Sequence, residues 1–205
     1  RGTVLGNGGG VHVDGFDGQP AHLLLRGVAV RANSGPGISC AYSGVCDGQD
    51  LTVEGNNGGA LCEDGGDLRL SACVLRGNHT ENYGGGVMCW RGSVTLTDVR
   101  IEENVALQGG GGVCVFWPEA RATLLRTVVR YNHADFWGGG GVAAFRGARA
   151  ELQDVTIARN GGGLGGGVHI GAGSDVRFAA NPRSSVYLNR AAVGADLYCA
   201  DSTYH

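Results

Sequence analysis

An asparagine recurs along this chain within one short pattern, and this repeat constrains the fold more than any other feature. In each copy an aliphatic residue lies three positions before the asparagine, and a glycine-containing stretch that ends in another aliphatic residue follows it. The copies lie about 26 residues apart, a period that indicates a solenoid, a propeller or another repeat array. The asparagines of the pattern are Asn7, Asn33, Asn56, Asn78, Asn104, Asn132, Asn160 and Asn189.

Short stretches of alternating apolar and polar residues, rich in β-branched side chains, separate the asparagines. Residues 94–96 (Val-Thr-Leu) and 155–157 (Val-Thr-Ile) are examples. A period of two is typical of β-strands, whereas an amphipathic helix has a period of about 3.6. About three such strands fit in one repeat, and a propeller blade needs about 40 residues. We therefore predict an all-β fold, a parallel β-helix (solenoid) of about eight coils with about three short strands per coil, forming one domain over residues 1–205.

Equivalent residues of successive coils would stack about 4.8 Å apart and form ladders. The aliphatic residues would fill a core that no coil could bury alone, and each asparagine amide could hydrogen-bond its copy in the next coil. The expected asparagine ladder consists of Asn33, Asn56, Asn78, Asn104, Asn132, Asn160 and Asn189. The aliphatic residues expected to point inward after the glycines are Val11, Ile38, Leu61, Val87, Val113, Val142, Val168 and Leu197.

The glycines need a reason to be present, because glycine weakens a strand relative to alanine. We expect them at bends with positive φ, or where two backbones approach too closely for a side chain. The alternative is a flat glycine face that docks a partner.

Charged residues form a second expected ladder two positions before the asparagines, on the outer side of the alternation. Their signs alternate in consecutive coils, so neighbours attract each other across adjacent strands. This surface charge ladder consists of Arg31, Glu54, Arg76, Glu102 and Arg130. The formal net charge of the chain is −3, which gives no electrostatic case for nucleic-acid binding. No apolar stretch is long enough to span a membrane, so we expect no membrane insertion by this segment.

The asparagine and glycine positions resemble the repeats of polymorphic outer membrane proteins and of related pectin-lyase-like β-helix proteins. Residues 58–61 (Gly-Gly-Ala-Leu) match one motif of that family, although other repeats carry a third glycine in place of alanine. The family often has phenylalanine where this chain has valine, isoleucine or leucine three residues before the asparagine. The resemblance implies a right-handed parallel β-helix with a structural or adhesive role. It also implies an extracellular or cell-surface location within a larger protein, a filament or another assembly, with other subunits or flanking repeats of the same chain as partners.

Catalysis is the main rival reading, because β-helices also house carbohydrate lyases and hydrolases. Hydrolases need two close carboxylates as acid and base, but no two aspartates are adjacent in this sequence. The pair Glu102 and Glu103 is explained better by the surface charge ladder. The histidines do not gather and no CxxC motif occurs, so we predict no metal site, no cofactor and no enzymatic activity. A carbohydrate-binding or carbohydrate-cleaving β-helix remains the alternative.

Aromatic residues give the best indication of a binding surface. Trp90, Phe116 and Phe145 share one position in consecutive coils, and Trp117 follows Phe116 directly. Tyr83, Phe136 and Trp137 lie in longer spacers before the glycines. An outward aromatic ladder could stack sugars or contact a protein partner. Alternatively, a spacer folds over this column and buries it. The candidate partner- or glycan-binding residues are Trp90, Phe116, Trp117, Phe145, Tyr83 and Trp137.

The chain has 7 cysteines. By their phase, Cys40, Cys73, Cys89 and Cys199 are expected to point inward, where an unpaired cysteine behaves as an ordinary core residue. An extracellular location would favour disulfides, and Cys40–Cys46 is the first candidate pair. Residues 78–80 form an N-glycosylation sequon, but Asn78 belongs to the ladder, so we expect it to be buried and unmodified.

Overall fold

The chain is an all-β solenoid, seen here in a computed structural model that describes residues 2–17 and 19–200. Over these residues the strands form four sheets, and every pairing between named strands is parallel. The two longest sheets each contain 8 strands, which gives about eight coils. No helix in the described part of the chain is long and apolar enough to cross a membrane. The predicted parallel β-helix is therefore confirmed.

Sheets 1 and 2 lie on either side of the asparagine corner. Sheet 1 contains the strands that precede the asparagines, namely Gly2–Leu5, Val28–Arg31, Thr52–Glu54, Val74–Arg76, Arg100–Glu102, Val128–Arg130, Thr156–Ala158 and Ser185–Tyr187. Sheet 2 contains the short strands that follow the asparagines, namely His79–Thr80, Val105–Ala106, His133–Ala134, Gly161–Leu164 and Arg190–Val193. Sheet 2 was not predicted, so the expectation of three strands per coil is wrong wherever this fourth strand is present.

Sheets 3 and 4 complete each coil. Sheet 3 follows the glycines and contains Val11–Asp14, Ile38–Ala41, Ala60–Glu63, Val87–Trp90, Val113–Phe116, Val142–Phe145, Val168–Ile170 and Leu197–Cys199. Sheet 4 is the middle of each repeat and contains His22–Arg26, Val45–Gln49, Asp67–Ser71, Ser93–Thr97, Arg121–Leu125, Arg149–Gln153 and Asp175–Phe178.

The core lies inside the coil and is filled by ladders of buried residues from sheets 1, 3 and 4. In sheet 1 the central residues of successive strands, such as Leu75 and Ile101, pair in register and are fully buried. In sheet 3, Val87 pairs with Ala60 rather than with Leu61, so the prediction that Leu61 points inward is wrong. Alanine takes the core position in that coil. Leu197 has the expected register but is 48% exposed, because it lies in the last described strand of the sheet.

The corner before each asparagine has one backbone conformation throughout the solenoid. The residue at this corner has a φ between 52° and 64°. Glycine adopts this left-handed conformation freely, but Glu103 and Tyr131 adopt it as well. The corner residues are Gly6, Ala32, Gly55, Gly77, Glu103, Tyr131, Arg159 and Leu188.

The glycines before sheet 3 have the two structural roles that the sequence predicts. Gly84 has a φ of +69°, a conformation that other residues adopt at a cost. A Cβ atom on Gly86 would lie 2.6 Å from the carbonyl oxygen of Gly112 in the next coil and 2.6 Å from a methyl group of Ile101. Gly84 therefore makes the bend, and Gly86 lets the backbone of the next coil and the core side chains approach closely.

Candidate functional site

The asparagines form one continuous hydrogen-bonded ladder inside the corner between sheets 1 and 2. Each side-chain Nδ2 donates to the Oδ1 of the asparagine in the next coil, and each backbone N–H donates to the same oxygen. Nδ2 also donates to a sheet 1 carbonyl of the preceding coil, as from Asn104 to the oxygen of Leu75 at 3.0 Å. The side-chain bonds measure 2.8–3.0 Å and link Asn33, Asn56, Asn78, Asn104, Asn132, Asn160 and Asn189 in that order.

The ladder ends on an aspartate that the sequence analysis did not single out. Asp196 Oδ1 accepts hydrogen bonds from the backbone N–H of Asn189 at 3.1 Å and from its Nδ2 at 2.9 Å. The carboxylate oxygen thus takes the place of the next amide oxygen. Asn78 lies in the middle of the ladder with 0% exposure, which confirms that this sequon residue is buried.

The surface charge ladder is present in sheet 1 as two separate sets, because no ion pair joins Arg76 to Glu102 among the residues that the structure describes. Glu54 forms ion pairs with Arg31 and with Arg76, both at 2.7 Å, and Glu102 forms one with Arg130 at 3.1 Å. The arginine side chains remain partly exposed, so each pair contributes little to stability.

An aromatic surface covers the outer face of sheet 3. Trp90, Phe116 and Phe145 occupy one register position in adjacent strands. The rings of Trp90 and Phe116 are stacked, with centroids 4.8 Å apart and planes 11° apart. Phe116 and Phe145 are tilted, with centroids 5.7 Å apart. We use the name aromatic surface for these three residues together with Tyr83, Trp117 and Trp137.

The spacers cover the aromatic surface only in part. The Tyr83 ring lies 5.0 Å from Phe116 and 6.0 Å from Phe145, and it leaves Phe116 only 6% exposed. Trp117 packs edge-on against Trp90 and Phe116. Trp137 is 58% exposed, and its Nε1 donates a hydrogen bond to Gln108 Oε1 at 3.1 Å. The alternative in which a spacer covers the column therefore holds for Phe116, whereas Trp137 of the spacer is itself exposed.

The same face carries residues that the sequence analysis missed. Met88 and Cys114 are buried beside the aromatic column, and Leu61 packs against them. His169 lies between the rings of Phe145 and Tyr198, at centroid distances of 4.9 and 5.0 Å. Burial lowers the pKa of His169, and the nearby backbone of Trp137 offsets part of that shift. The strand period could have indicated Met88 and Cys114, because each precedes the aromatic position by two residues and so lies on the same face of the sheet.

Two grooves open on either side of Tyr83. The first has a volume of about 390 Å³ and is lined by Leu61, Glu63, Met88 and Trp90 in addition to Tyr83. Burial raises the pKa of Glu63, and the nearby carboxylates of Asp64 and Asp14 raise it further.

The second groove has a volume of about 320 Å³ and is lined by Phe116, Trp137, Phe145 and Arg146 in addition to Tyr83. The guanidinium carbon of Arg146 lies 4.9 Å from the Trp117 ring centroid.

The cysteines are free thiols, and the disulfide expected between Cys40 and Cys46 is not formed. Cys40 lies in sheet 3, in register with Cys62, and its Sγ is directed at the carbonyl oxygen of Gly44 at 2.8 Å. Cys46 lies in sheet 4, where burial raises the pKa of its thiol to about 12. Cys199 has the expected inward register but is exposed, because its strand is the last one described in sheet 3.

No group of three or more histidine, cysteine, aspartate or glutamate side chains is arranged to hold a metal ion among residues 2–17 and 19–200. Comparisons with protein-family models, curated proteins and solved structures found no match.

Proposed function

We propose that this chain is a structural, non-catalytic segment of an extracellular or cell-surface protein, a β-helix rod that holds its outer surface rigid for contact with partners. The asparagine ladder is the observation that supports this proposal. It runs through consecutive coils from Asn33 to Asn189 with every side-chain amide satisfied, and it ends on Asp196. A buried polar network in which every member is bonded rigidifies a core.

The surface chemistry supports the same proposal. The carboxylates of Glu54 and Glu102 are tied to arginines of neighbouring coils, and Asp98 is tied to Arg126 at 2.7 Å. These carboxylates are thus occupied in weak ion pairs between adjacent coils. A hydrolase would instead need one carboxylate placed as an acid opposite another placed as a base.

The proposal is tested by incubating the purified chain with acidic and neutral polysaccharides and measuring their chain length. We expect the same length as in buffer alone. Cleavage that a single substitution such as Glu102→Gln abolishes would overturn the non-catalytic role. For the location, antibody labelling of intact and permeabilised cells should give equal signals, and a signal only after permeabilisation would exclude a surface protein.

Binding of a glycan or a protein partner through the aromatic surface is the second candidate function. The second groove favours it, because the exposed Trp137 ring lies at its edge beside Arg146. Trp137→Ala should weaken capture of glycans on an array or of a partner. Phe136→Ala is a matched control, because Phe136 is 66% exposed in the same spacer and does not line the groove. Equal effects of the two substitutions would argue against this site.

A further inference from the structure

The first groove contains an aromatic ring with one uncovered face. Trp90 pairs in register with Phe116 in one neighbouring coil and with Glu63 in the other. Because the ring is stacked on Phe116 at 4.8 Å and 11°, its opposite face is directed towards the Glu63 coil, where the groove lies. A ligand in the groove would therefore contact the face of the indole.

A carboxylate without a counter-ion lines the same groove. Glu63 is half-buried, and its carboxylate takes part in no hydrogen bond or ion pair with the residues that the structure describes. Asp64 and Asp14 add negative charge nearby, but each already has a partner: Arg91 at 2.9 Å and His12 at 2.7 Å, respectively. The groove has no arginine in its lining. Within the described part of the chain, Glu63 is therefore the one charged side chain in the lining of the groove, and His12 and Arg91, which offset part of the rise in its pKa, do not line it.

The remaining walls favour a cation that carries little bound water. Leu61, Met88 and the ring of Tyr83 make much of the lining apolar. Aromatic faces are negative and attract cations, and quaternary ammonium groups are a known case of this attraction. A metal ion or a primary ammonium would have to lose strongly bound water to enter. The volume of about 390 Å³ is that of a small-molecule site.

We propose that this groove binds a small soluble organic cation of the quaternary ammonium class, with its methyl groups against Trp90 and Tyr83 and its charge facing Glu63. The inference goes beyond the structural role and does not depend on it, because a rod and an enzyme could both carry such a site.

The test is a titration of the intact chain with tetramethylammonium chloride, followed by the indole N–H resonances in NMR spectra. We expect a saturable shift of the Trp90 resonance that sodium chloride and ammonium chloride at equal concentration do not produce. Glu63→Gln should weaken binding about tenfold or more, since it removes the charge that faces the cation. Phe136→Ala should bind as the unchanged chain does.

Two outcomes would overturn the proposal. An equal shift with sodium chloride would show a general effect of salt, and unchanged affinity of Glu63→Gln would show that the groove does not recognise positive charge. Trp90→Ala should abolish the binding, but it also removes the stack on Phe116. Glu63→Gln is therefore the deciding variant, because its side chain has no partner to lose and its circular dichroism and melting temperature should stay unchanged.

Discussion

Replacing Asn104 with alanine removes the middle of the asparagine ladder and tests how much the ladder contributes to stability. The Oδ1 of Asn104 accepts two hydrogen bonds from Asn78, one from its backbone N–H at 3.0 Å and one from its Nδ2 at 2.9 Å. Its Nδ2 donates to Asn132 Oδ1 at 2.9 Å and to the carbonyl of Leu75 at 3.0 Å. Alanine would leave the backbone N–H of Asn78 and one N–H of its Nδ2 group buried without an acceptor, while the other Nδ2 N–H keeps its bond to the carbonyl of Val53.

The expected loss is large for a single substitution. Each buried donor left unsatisfied costs about 1–3 kcal/mol, and the Leu75 carbonyl loses a donor as well. We therefore expect Asn104→Ala to lower the free energy of unfolding by about 3–5 kcal/mol. Chemical denaturation followed by circular dichroism measures this loss. Hydrogen exchange at the backbone amide of Asn78 locates it, and this amide should exchange faster than those of distant coils.

Asp196 provides the matched control at the end of the ladder. Asp196→Asn keeps an oxygen that can accept from Asn189, so we expect its stability to stay within about 0.5 kcal/mol of the unchanged chain. Asp196→Ala removes the acceptor of two partly buried hydrogen bonds and should cost about 1–2 kcal/mol. If Asn104→Ala were no more destabilising than Asp196→Asn, the ladder could not be the element that stiffens the solenoid.

Three further predictions follow from the structure. Glu102→Gln breaks a partly exposed ion pair and should cost under about 1 kcal/mol, with a smaller loss at high salt; a larger, salt-independent loss would contradict this. Because folding lowers the pKa of His169, the unfolded chain takes up a proton on this residue at a higher pH than the folded chain does. The free energy of unfolding therefore decreases as the pH falls below about 6.5. His169→Phe should weaken that pH dependence in thermal denaturation, and an identical pH profile would refute the assignment. A thiol reagent should label Cys199 in the folded chain and all 7 cysteines after denaturation, because the other cysteines are buried; fewer labels in denaturant would reveal a disulfide.

The features that repeat in every coil could be predicted from the sequence. The asparagine ladder, the core residues of sheet 1 and the charge ladder of Arg31, Glu54 and Glu102 follow from the period and from the alternation within strands. These features depend on one fact, namely that like residues stack on like residues at the strand spacing.

The features that the sequence could not reveal are short or depend on detail within one coil. The strands of sheet 2 that contain His79 and Val105 are 2 residues long, too short for alternation to be visible. The left-handed corner at Glu103 has no glycine to mark it. The shift from Leu61 to Ala60 in the core occurs in one coil and is visible only in the register between strands.

The aromatic surface was visible only in outline. The common phase of Trp90, Phe116 and Phe145 predicts a column, but the sequence does not show how Tyr83 folds over it. The groove next to Glu63 also needs the register between coils, because Glu63 itself carries no repeat signal.

Hydrogen-bond scalar couplings between the amide groups of successive asparagines test the stacking of coils most directly. The structure predicts a coupling from the Nδ2 group of Asn78 to the side-chain carbonyl carbon of Asn104, and an equivalent coupling at each step from Asn33 to Asn189. Couplings that skip a coil, or that join Asn104 to residues outside the ladder, would contradict the parallel β-helix and the structural role proposed from it.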